Sequence, residues 1–136
     1  MRYERIDTDQ PGIIAYGVTP QELFEHAGWG MFDMMFDLRG VDPVRDVPVM
    51  AAGDTCEDLL IGWLTELLGL AHHHDLAFCY FTVDRLEEGG VQGSAGGVPA
   101  ATLEMTGWNV QAIDRSGLAV VENPATWWAR LLFKTG

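Results

Sequence analysis

Basic residues are scarce: eight Lys and Arg stand against 20 Asp and Glu, for a formal net charge of −12 and a pI near 4.4. Neutralising phosphates takes clustered Lys and Arg, so this deficit excludes direct nucleic-acid binding as the expected role. Cysteine is also rare. Cys56 and Cys79 are the only two, too few to staple a small secreted scaffold, and both read as free buried thiols. No apolar run reaches transmembrane length, and Met1–Arg5 lacks the apolar stretch of a signal peptide, so the expectation is a cytoplasmic protein without a membrane span. No nucleophile–base pair, phosphate loop or dinucleotide fingerprint is recognisable. Gly89-Gly90-Val91-Gln92-Gly93 follows a strand pattern but opens no helix, which a phosphate-binding glycine motif requires. The chain therefore does not read as an enzyme.

What is present is a strongly apolar composition, 48% hydrophobic over 136 residues, enough to build a core for one domain spanning residues 1–136. Thr19, Pro20 and Glu22 have the spacing of a helix start. The apolar residues from Leu23 to Leu38 then recur at three- and four-residue steps. A second helix is expected from an Asp54 cap with Glu57 at the third position, burying Leu59, Leu60, Trp63, Leu64, Leu67 and Leu68.

Around these helices the period shortens to two. Strands are expected at Tyr3–Ile6, Ile13–Tyr16 and Arg45–Ala52. Leu76–Leu86 and Val91–Ala95 should pair about a turn at Glu87–Gly90. Thr102–Ile113, Leu118–Glu122 and Trp127–Phe133 follow, joined by turns at Arg115–Gly117 and Asn123–Thr126. Gly89–Gly97 reads as a mobile glycine-rich hairpin. The fold class is α+β, two helices packed on an antiparallel or mixed sheet.

Three places carry candidate chemistry. In the turn Asp7–Gly12, Asp7 and Asp9 are two residues apart and could face one hard cation, calcium or magnesium, with turn carbonyls completing an oxygen cage; the alternative is that both cap the turn. His72-His73-His74-Asp75 invites a zinc site and, with it, a metal-dependent hydrolase. Adjacent histidines reach one ion poorly, however, and suit the negative end of a helix dipole. Trp108, Trp127, Trp128 and Phe133 lie in expected strands; Trp127 and Trp128 should point to opposite faces, and an exposed indole could anchor a partner.

Three blocks carry a family resemblance: Ala15–Asp33 (AYGVTPQELFEHAGWGMFD), Asp54–Leu68 (DTCEDLLIGWLTELL) and Val110–Val121 (VQAIDRSGLAVV). In order and spacing the chain resembles the archease family, accessory proteins of the tRNA-splicing RNA ligase. The resemblance implies a protein that binds this ligase and promotes its guanylylation and turnover with a divalent metal, the partner carrying the chemistry. It also implies a metal Asp in an H-T-A-D-x-G turn and a second Asp near the carboxyl terminus. Aligned on Gly12, these fall on Gln10 and near Lys134; the family's V-K-A lysine falls on Gln111 and its T-Y-H on Asp114-Arg115-Ser116. The expected ligands are then Asp9, with Asp7 and Asp114 as substitutes. The competing expectation is a metal-free archease scaffold serving another, basic, protein partner.

Overall fold

The protein is described by a computed structural model covering residues 3–6 and 10–136. Seven strands and two α-helices are found among the described residues: β1 (Tyr3–Ile6), β2 (Gly12–Gly17), α1 (Pro20–Asp33), β3 (Arg45–Ala52), α2 (Cys56–His74), β4 (Leu76–Glu87), β5 (Gly90–Pro99), β6 (Val110–Glu122) and β7 (Trp127–Thr135). The strands form two sheets, ordered β1-β2-β7-β6 and β3-β5-β4, with every pairing antiparallel. The architecture is α+β. Helix α1 packs against β2 and β4, one strand from each sheet, and α2 packs against β3 and β6.

Helix α1 starts where its sequence demands. The Thr19 hydroxyl accepts from the Glu22 N–H (3.1 Å), while Glu22 Oε1 accepts from Val18 N–H (3.3 Å), so two otherwise orphaned donors are satisfied. Helix α2 is capped one residue later than expected. The cap is Thr55, whose hydroxyl accepts from Asp58 N–H (3.1 Å), rather than Asp54; a hydroxyl in the extended conformation reaches the third amide of the helix equally well.

The core is aromatic at its centre. Phe32, Phe78 and Phe81 form a cluster in which Phe78 meets both other rings edge-to-face, Phe32 and Phe78 with centroids 5.4 Å apart, while Phe32 and Phe81 are tilted. The fully buried Trp63 donates its indole N–H to the Phe24 carbonyl (3.1 Å), tying α2 to α1. A buried side chain of this size stabilises by about 2–3 kcal/mol, and the hydrogen bond removes the penalty of a dry N–H. No helix of the described residues is long and apolar enough to cross a membrane.

Three expectations fail for backbone reasons. Gly89–Gly97 is no free hairpin: it contributes to β5, the central strand of its sheet. A side chain at Gly93 or Gly97 would collide with the carbonyls of Thr82 or Ala77 on β4, so glycine here permits close strand approach. The stretch from Thr102 to Asn109 is not strand. A short 3-10 turn at Ala100–Thr102 leads into an irregular strap, whose amides bond to the end of α1: Thr106 N–H to Met35 O (3.0 Å) and Trp108 N–H to Met34 O (3.0 Å). Gly107 has no room for a side chain against the Met34 carbonyl. Arg115–Gly117, expected as a turn between strands, instead lies within β6, in a bulge where β6 advances five positions while β7 advances two.

Candidate functional site

Gln10 and Pro11, which lead into β2, the bulge in β6 and the end of β7 converge at one corner. Phe133 N–H donates to Pro11 O (2.9 Å), locking the start of β2 to β7. Gln10 Nε2 then donates to Asp114 Oδ2 (2.8 Å) and to Phe133 O (3.2 Å). The bulge turns Ser116 back on the same carboxylate, its N–H and its hydroxyl donating to Asp114 Oδ1 at 3.0 and 2.7 Å. Both oxygens of Asp114 are therefore engaged. The Ser116 hydroxyl, then the Gln10 amide and the Ser116 N–H, hold the carboxyl below its ordinary range; Lys134 adds a smaller pull and desolvation opposes.

A hard divalent cation needs several oxygen ligands, typically about six to eight for calcium. The described part of this corner offers one carboxylate, already accepting from three donors, with Gln10 presenting an amide NH₂ to it and the Lys134 ammonium nearby. Among the described residues no three His, Cys, Asp or Glu side chains gather as a metal site. Asp7 and Asp9 lie outside the described residues. The described residues alone do not make a cation cage; they make an ordered anionic corner. Gln111, at the family's lysine position, lies against Gly136, whose N–H donates to Asn109 O (3.2 Å).

The histidine run forms the last turn of α2, with His72 and His73 exposed. An Arg45 guanidinium nitrogen donates to His74 Nδ1 (3.2 Å), and the His73 and His74 rings meet edge-on at 4.9 Å. Partial desolvation, then Arg45 and His73, lower the His74 pKa. The structure thus brings a cation to His74 where the zinc reading needs a ligand. Of the aromatics, Phe133 is core, Trp127 and Trp128 are half-buried, and Trp108 is half-exposed on the strap rather than in a strand.

The partners of Asp114 are what sequence reasoning missed. Asp114 and Ser116 have the spacing of a side-chain-to-backbone turn, a local signal that was there to be read. Gln10 gave none.

The Archease protein family (MTH1598/TM1083) matches residues 6–133. Among curated proteins, the archease of Methanosarcina mazei is 33% identical over 88 residues, 64% of this chain and 60% of that protein. The archease of Archaeoglobus fulgidus is 38% identical over 71 residues, 52% of each. These matches span less than two thirds of the relatives' length. Among solved structures, protein 1598 of Methanobacterium thermoautotrophicum superposes with a TM-score of 0.77 at 25% identity, covering 98% of both chains. An archease of Thermotoga maritima, described as a possible chaperone, does so at 0.65 with 15% identity, covering 99% of this chain and 98% of that one.

Proposed function

The chain belongs to the archease family, and from that premise we propose that it is a non-enzymatic accessory protein that binds the tRNA-splicing RNA ligase in the cytoplasm and promotes its guanylylation and turnover. The observation that carries this reading is the family match over residues 6–133. The formal charge of −12 supports a protein partner with a basic surface, since opposite fields speed encounter. The test is the guanylylation rate of the purified ligase from the same organism, with and without this protein. Acceleration at substoichiometric amounts is expected; no acceleration and no complex would overturn the reading.

In this reading a divalent cation, calcium or magnesium, would draw ligands from Asp9, with Asp7 and Asp114 as substitutes. A second reading, favoured by the engaged state of Asp114, keeps the scaffold and its partner-binding role without a metal. Calorimetric titration of the chelator-stripped protein with calcium, magnesium, manganese and zinc decides between them. Stoichiometric binding abolished by Asp9→Ala supports the first, and flat titrations support the second.

A further inference from the structure

Between the end of α2 and the strap of residues 103–109 lies a cleft of about 200 Å³, lined by Phe32, Phe36, Leu68, Ala71, Met105 and Asp75 among others. An apolar cavity of roughly 150 Å³ accommodates benzene, so this one has room for an aliphatic side chain. Its walls are fixed in advance. Backbone bonds tie the strap to α1, and Ala100 N–H donates to Asp75 O (2.8 Å), so little ordering remains to oppose binding. Met105 is nonetheless 51% exposed at the rim, and methionine adapts its shape to an incoming group.

Asp75 breaks two local rules. It is the only non-glycine at positive φ among the described residues (φ 54°, ψ 45°), at a helix-capping position that favours glycine. It also sets a carboxylate at the negative end of the α2 dipole. It makes no ion pair among the described residues, and no Lys or Arg lines the cleft. A residue held against both preferences, beside a cleft that is apolar in its depth and carries His72 and Asn109 as well, points to a role outside folding.

We infer that this cleft takes an apolar side chain from a protein partner that carries a lysine or arginine beside it, with Asp75 pairing the cation. The inference rests on the partner-binding reading above and assigns it a surface. The test uses the ¹⁵N-labelled protein and an acetylated, amidated heptapeptide of leucine and lysine, beside its counterpart with glutamate in place of lysine. The lysine peptide should shift the amides of Ala71, Asp75 and Met105, and the glutamate peptide should not. Asp75→Asn should weaken binding about 2- to 5-fold, the range of an exposed pair, and Ala71→Leu, by filling the cleft, should remove it. Asp75→Gly should raise Tm by about 2–4 °C while weakening binding. Equal shifts from both peptides, shifts elsewhere only, or a lower Tm for Asp75→Gly would overturn the inference. Ligase acceleration untouched by Asp75→Asn and Ala71→Leu would overturn it too, leaving the ligase reading intact. Peptide binding at the cleft without ligase acceleration would support the cleft and remove the ligase as its partner.

Discussion

Gln10 donates its side-chain amide to Asp114 across 2.8 Å, joining residues 104 positions apart at the corner where an archease metal site is expected. An amide at this position satisfies the carboxylate as a ligand-bound cation would, by supplying positive charge density to its oxygen.

Replacing that amide should therefore expose what the corner lacks. Gln10→Asp sets a second carboxylate beside Asp114, and the pair should lower Tm in chelator, with millimolar calcium restoring it. Gln10→Ala should lower Tm through the lost hydrogen bonds and move the Asp114 pKa upward. The folded-state pKa of Asp114 is depressed, so its stabilisation is present above the unfolded carboxylate pKa and is lost as pH falls through the folded value. Carboxylate NMR titration of both proteins checks the shift.

At the other end of the pH scale the sign reverses. The Tyr3 phenol donates to the Asp33 carboxylate. Burial, then this contact, pushes its pKa from 10.0 to about 12. The folded state holds the proton longer, so the contribution of Tyr3 is complete below pH 10 and is lost as pH rises towards 12. The urea midpoint should fall over that window, and fall less in Tyr3→Phe; absorbance titration of Tyr3→Phe should lose the tyrosine that ionises near pH 12.

The two residues before α2 are separable by substitution. Thr55→Ala removes the hydroxyl that accepts from Asp58 N–H and should cost about 1 kcal/mol in chemical denaturation. Asp54→Ala, outside the cap, should cost a few tenths at most. The reverse order would return the cap to Asp54.

Gly107 fastens the strap. A methyl group there meets the Met34 carbonyl oxygen, so Gly107→Ala should break the Trp108 N–H to Met34 O bond and cost about 1–3 kcal/mol. Amide exchange should accelerate at Thr106 and Trp108 first, with Trp63 protected until global unfolding.

Both helices were legible because their signals are local. Thr19, Pro20 and Glu22 mark a start within four residues, and the Leu59-to-Leu68 stripe marks a buried face. The slip from Asp54 to Thr55 arose because both can cap and both have an acid three positions on. The strap was misread because Thr102–Asn109 carries a strand-like pattern, while its amides are satisfied by α1, far away in sequence. The pairing of Gln10 with Asp114 was illegible for the same reason. A glutamine advertises no partner, and only the placement of β7 between β2 and β6 brings the two residues together.

That placement also sets an order of assembly on the ribosome. Strand β2 hydrogen-bonds on one side to β1 and on the other to β7, which is synthesised after every other strand of the described residues. The sheet β3-β5-β4 and helix α2 can form from a continuous stretch of nascent chain. The first sheet must wait with an open β2 edge until β7 has left the ribosome, and for that interval the edge offers unpaired backbone groups to any other chain.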